Sequence, residues 1–180
     1  MRIPMLALGL LCAAGCGMSD EAAAAKDRES SKATWALVLK VGGADVRIPL
    51  KAMNVLLFKD EEYAKQNPSV FQIEGDGVNL IGEIAAADNV DYGEHWERLL
   101  NKTLTIKASG EFHRDSVDSK IALPGASEVA VTSGTMFVEK FSGKWSGSEG
   151  DKTLLGKISL HLSDGRTLEG TFVVHAVTWG

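Results

Sequence analysis

The sequence predicts an all-β domain: an antiparallel β-sandwich or open barrel of about nine or ten short strands with two short helical turns. Three observations carry that expectation. Apolar and polar residues alternate with a period of two from Leu154 to Leu162, the mark of a half-buried strand. Turn chemistry recurs along the chain at Gly42-Gly43, Gly75-Asp76-Gly77, Pro124-Gly125 and Ser163-Asp164-Gly165. No helical pattern of crossover length separates the strand patterns, which argues against a parallel α/β sheet.

The C-terminal hairpin is the most constrained element. Ile158, Leu160 and Leu162 share one face, so the return strand must set Leu168, Gly170, Phe172 and Val174 on that face. A two-residue Asp-Gly turn would pair Leu160 with Glu169 and scramble the faces. A three-residue loop, with Gly165 as the left-handed residue of a G1 bulge, pairs Leu160 with Leu168. His161 then faces Thr167 on the solvated side.

From the N-terminal side, the folded body begins near Ala33. Trp35, Leu37, Leu39 and Val41 share a strand face, and Val46, Ile48 and Leu50 continue it after a turn at Gly42-Gly43-Ala44, with Val41 opposite Val46. Pro49 removes a ladder donor and marks an edge or a bend. Asn54 to Phe58 extends the sheet, and Asp60 to Lys65 forms a helical turn stopped at Asn67-Pro68. Val70 to Ile73 and Val78 to Ile84 make a second hairpin. Asp91 caps a short helical segment whose Trp96, Leu99 and Leu100 form one stripe over an end of the sheet. Thr103 to Lys107 is a strand, Glu111 to Lys120 a polar loop, and Lys120 to Leu123 a short strand. Val129 to Phe141 is a long strand whose apolar parity shifts across Ser133-Gly134, as at a bulge or tight turn. Gly143 to Gly150 is a Gly/Ser loop around Trp145.

The chain has 180 residues, 44% of them hydrophobic and 24% charged, which suits one globular domain with short extensions. Its net charge of −5 argues against nucleic acid or anionic lipid as a partner, because both reward clustered Lys and Arg.

Residues 1–15 read as an export signal: one positive charge at Arg2, an apolar core from Ile3 to Leu11, then small residues. The core is too short to span a bilayer, which takes about 20 residues. Cys12 and Cys16 are the two cysteines, and cleavage after Gly15 leaves Cys16 alone. Residues 17–32 are polar and Ala-rich, a tether that as a coil spans about 22 Å. The domain proper is 33–180. Ala13-Ala14-Gly15-Cys16 resembles the lipobox of bacterial lipoproteins, with Ala13 where that motif usually has Leu. The resemblance implies a lipidated (palmitate-type acylated) Cys16 as mature residue one and attachment to a membrane. Gly17 stands where an Asp would favour inner-membrane retention, so the implied address is the outer membrane, facing the periplasm or the surface. The other reading of the leader is ordinary secretion with a free thiol. Gly170-Thr171-Phe172 after an Asp-Gly turn, taken with the leader, is similar to small β-rich lipoproteins of bacterial envelopes.

Catalytic chemistry has little support in the sequence. The four histidines include no HExxH, no Ser lies in a nucleophile elbow, and no phosphate-binding Gly-rich loop occurs. Asp76 and Asp88 fail the calcium-loop pattern, because apolar or aromatic residues hold expected oxygen-ligand positions. His175, among Val173, Val177 and Trp179, reads as a satisfied semi-buried histidine. No cofactor is expected. Two function classes remain. The preferred one is a non-catalytic envelope domain for binding a protein or small ligand, or for assembly, with Trp145 in its flexible loop as the contact residue. The competitor is a metal-dependent binder or hydrolase in which Glu111, His113, Asp115 and Asp118 converge on a cation, although Arg114 among them repels one.

Overall fold

The computed structural model describes residues 35–56, 66–89, 96–144 and 151–179. Eleven strands account for about three quarters of them: β1 (Ala36–Val41), β2 (Ala44–Leu56), β3 (Ser69–Gly75), β4 (Val78–Ile84), β5 (Thr103–Lys107), β6 (Ser109–Phe112), β7 (Asp115–Asp118), β8 (Lys120–Ala122), β9 (Glu128–Lys144), β10 (Asp151–Leu162) and β11 (Thr167–Trp179). Two 3-10 turns, Ala86–Asp88 and Trp96–Leu99, interrupt them. Neighbouring strands pair in the order β10-β11-β1-β2-β3-β4-β5-β9, and β9 pairs with β10 to close the ring. The architecture is an eight-stranded up-and-down barrel with β8 as an additional strand, so the sheet takes the barrel form of the two expected and closes.

Closure follows from the periodicity. Each long strand carries an apolar face that must be covered, and curling the sheet on itself covers it while removing free edges. An eight-stranded barrel has a lumen just wide enough for side chains to fill. Leu37, Leu39, Met53, Phe71, Ile73, Leu104, Met136, Val138, Leu160, Phe172 and Val174 fill it, each nearly inaccessible to solvent.

The C-terminal hairpin has the expected register. Leu160 pairs with Leu168 and His161 with Thr167. Gly165 N–H donates to the Leu162 carbonyl at 3.0 Å, and Leu162 N–H donates to the Arg166 carbonyl at 2.9 Å, closing the three-residue loop. The first hairpin is tighter than expected. Val41 pairs with Ala44 and Leu39 with Val46, because Gly42 and Gly43 both adopt positive φ and form a two-residue turn. The shift is an even one, so the apolar faces are preserved.

Pro49 sits inside the ring rather than at an edge, and the strand is irregular beside it. The Pro49 carbonyl points toward β3 and accepts from Asp76 N–H at 3.0 Å. The missing Pro49 N–H therefore also points to that side, where the β2–β3 ladder starts only at Leu50. The parity shift in β9 is a bulge at Thr132, between Ser133 opposite His161 and Val131 opposite Leu162.

Long connections leave one end of the barrel and tight turns the other. At the end with long connections, Leu99 is buried in the core while Leu100 is 36% exposed, so the expected apolar stripe is narrower than the spacing implied. Asn89 is buried there: its Oδ1 accepts from Ser69 N–H at 3.1 Å and its Nδ2 donates to the Asn67 carbonyl at 2.9 Å. Trp35 and His175 stack with ring centroids 4.6 Å apart.

Candidate functional site

Glu111 to Lys120, expected as a polar loop, instead belongs mostly to the hairpin β6–β7, residues 109–118, on the outside of the barrel. The sequence lacks the Asn-Gly signal of a two-residue turn. His113 and Arg114 instead adopt φ of 51° and 74°, conformations that non-glycine residues visit at a cost.

The hairpin is an insertion into a single strand. Both β5 and β8 lie antiparallel between β4 and β9: Lys107 pairs with Ile81 and Lys120 with Asn79. One β4 position, Leu80, separates those pairs, and residues 108–119 loop out across it. Ser119 closes the neck. Its N–H donates to the Ala108 carbonyl at 2.7 Å, and its Oγ accepts from Ile81 N–H at 2.9 Å. That hydroxyl replaces the strand partner which the insertion removes.

What holds the hairpin down is a second, smaller apolar cluster. Leu56, Val70 and Ile81 point outward from β2, β3 and β4, where polar residues belong if the wall faces water. Phe112 and Val117 cover them, and Ile81 becomes almost fully buried. Burying side chains of this size stabilises by about 1.5–3 kcal/mol each.

Beside this cluster lies a groove of about 320 Å³ between the hairpin and the wall. Asn54, Gln72 and Glu74 line it from the wall, and Phe112, His113, Asp115 and Val117 from the hairpin. Asn54 and Gln72 are directly paired across the β2–β3 ladder. Gln72 Nε2 donates to Asn79 Oδ1 at 2.9 Å, which orients its amide. The His113 ring meets Phe112 edge-to-face, with centroids 4.8 Å apart at 86°.

The expected metal set is thereby divided. Paired residues of an antiparallel ladder share a face. Phe112 pairs with Asp115 and Gly110 with Val117, so Asp115 lies on the barrel-facing side. Glu111 pairs with Ser116 and Ser109 with Asp118, so Glu111 and Asp118 lie on the opposite side. Among the described residues, no three His, Cys, Asp or Glu side chains gather closely enough to hold a metal ion. Cys16, Trp145 and His95, like the helical turn expected over residues 60–65, fall outside the described residues.

His113 and Asp115 thus reach a shared site, but with amide partners rather than with each other's acidic neighbours. Asn54, Gln72 and Glu74 were not legible as site residues, because each looks like an ordinary outward strand position. The available signal was the apolar Leu56, Val70 and Ile81 on the same outward face, which require a cover. Comparison of the chain with protein-family models, with curated proteins and with solved structures finds no match. The class defined by the fold and site is an eight-stranded up-and-down barrel carrying an inserted exterior hairpin that walls a polar groove.

Proposed function

We propose that this chain is a lipid-anchored domain of the bacterial cell envelope that binds a ligand rather than transforming one. The observation that carries the binding role is the groove under the inserted hairpin. A filled barrel leaves its outer wall for recognition, and the hairpin turns part of that wall into a concave surface with convergent polar groups. The described lining residues offer amides, carboxylates and an imidazole, a set suited to hydrogen bonding.

The address is carried by the leader: export through residues 1–15, acylation at Cys16, and outer-membrane attachment through the 17–32 tether. Intact-mass analysis of protein extracted from native membranes tests it. The expected product begins at Cys16 and carries acyl chains; an unmodified Cys16, or a mature start elsewhere, overturns the anchor. For the binding role, solubilised envelope material is passed over the immobilised mature chain. Material retained by the wild type should be lost with the Gln72→Ala/Asp115→Asn double variant. Equal retention by both removes the groove from the proposal.

A further inference from the structure

Resting on the reading of the groove as a binding site, we infer that its ligand is a neutral saccharide, with a single pyranose ring seated between hairpin and wall. The lining selects for that chemistry by what each alternative leaves unsatisfied. An anion would meet the carboxylates of Glu74 and Asp115. A metal cation would need converging ligands, and no such group forms among the described residues. A purely apolar ligand would strip water from the carboxylates of Glu74 and Asp115 and give them no hydrogen bond in return.

A sugar satisfies the whole set. Each hydroxyl both donates and accepts, so adjacent hydroxyls match an amide, which offers two donors and one acceptor oxygen, or a carboxylate, which accepts at two oxygens. Asn54 and Gln72 sit side by side across the ladder, with Glu74 two residues further along β3. Asp115 and His113 approach from the hairpin, so polar groups converge from two sides. Phe112 and Val117 give the ring's C–H face an apolar surface. The Phe112–His113 edge-to-face contact holds the aromatic and the imidazole in fixed relation. At about 320 Å³ the groove is at the lower end of the range for small-ligand sites, which fits one ring rather than an extended chain.

The test is an NMR titration of the ¹⁵N-labelled mature chain with D-glucose, D-galactose, D-mannose and N-acetyl-D-glucosamine. At least one sugar should shift the backbone amides of residues 72–74 and 112–117 saturably, with a dissociation constant of the order of 1 mM for so small a ligand. Gln72→Ala and Asp115→Asn should each weaken that binding about tenfold. Lys40→Ala, on the first hairpin, should leave it unchanged. Thermal melts establish that each variant is folded, and Glu74→Gln, which preserves volume, serves in place of one that is not. No shift with any of the four sugars overturns the inference, as do shifts that persist in the double variant. Spermidine shifting the same amides while the sugars do not also overturns it, in favour of a cationic ligand. Groove-dependent retention of envelope material without any sugar response rejects the saccharide and keeps the binding groove; loss of both rejects both.

Discussion

Gly165 adopts φ of +85°, and a Cβ placed there meets no atom within 4 Å. The cost of replacing it is therefore backbone strain and not collision, about 1–2 kcal/mol for a residue forced into the left-handed region. Gly165→Val should destabilise by at least that amount, since β-branching worsens positive φ. Gly134 has the opposite reason for being glycine. It pairs with Leu160, and a Cβ would come within 2.6 Å of the Ser159 carbonyl oxygen and 2.9 Å of Leu160 Cδ2. Leu160 is fully buried, so Leu160→Ala should cost about 2–5 kcal/mol. His161, one residue on, is exposed and lies 3.0 Å from Thr167 Oγ1 through its Nδ1. His161→Ala should stay within about 0.5 kcal/mol. Denaturant melts of the three variants test this ordering. A His161→Ala that proves the most damaging would mean that β10 presents its other face to the core.

At the scale of elements, the ladder positions predict that the inserted hairpin is separable from the barrel. The ladder positions on β4 imply that one residue in place of 108–119 restores a continuous strand, because Lys107 and Lys120 then flank a single site opposite Leu80. The Thr132 bulge in β9 lies beside the same neck. Replacing residues 108–119 with one threonine, together with Ile81→Thr to remove the uncovered apolar side chain, should leave a cooperative thermal transition and abolish ligand retention. An unfolded product would show that Phe112 and Val117 are part of the barrel's own stability and not of a separate attachment. The same element explains a failed expectation. Glu111 to Lys120 reads as loop because its polar residues outnumber Phe112 and Val117, and because its turn residues, His113 and Arg114, are not turn formers. The strands form because the two apolar side chains find Ile81, Val70 and Leu56, which local sequence does not reveal.

For the molecule as a whole, the filled lumen makes one charge conspicuous. Lys152 begins the inward row of β10 that continues with Leu154, Gly156, Ile158 and Leu160, and it is 3% exposed. Burial pulls its ammonium from the usual 10.5 down to about 8. In the unfolded chain it holds its proton to about pH 10.4. Below pH 8 both states are charged and the folded one carries the full desolvation penalty. Stability therefore rises as pH climbs from about 8 to about 10.5, by less than about 1.4 kcal/mol per pH unit because solvent near the ammonium screens part of the effect. Lys152→Met should remove this component. Subtracting the variant's urea-derived stability from that of the wild type should leave a difference that grows in the wild type's favour across this window. A flat difference would contradict a desolvated Lys152.

The sequence by itself determined the all-β class, most strand positions, the C-terminal register and the inward rows of β1, β10, β11 and the first half of β2. Those properties follow from period-two alternation and turn chemistry, which act over a few residues. Closure into a ring, the two-residue first turn, and the joining of β5 with β8 around an extruded hairpin were decided by tertiary structure. So was the site. Asn54, Gln72 and Glu74 become a groove only when Phe112 and Val117 cross the outer wall, and Glu111 and Asp118 part from Asp115 only when the ladder assigns them faces. Burial of an outward apolar patch is a relation between strands distant in sequence, and no local pattern encodes which cover it will meet.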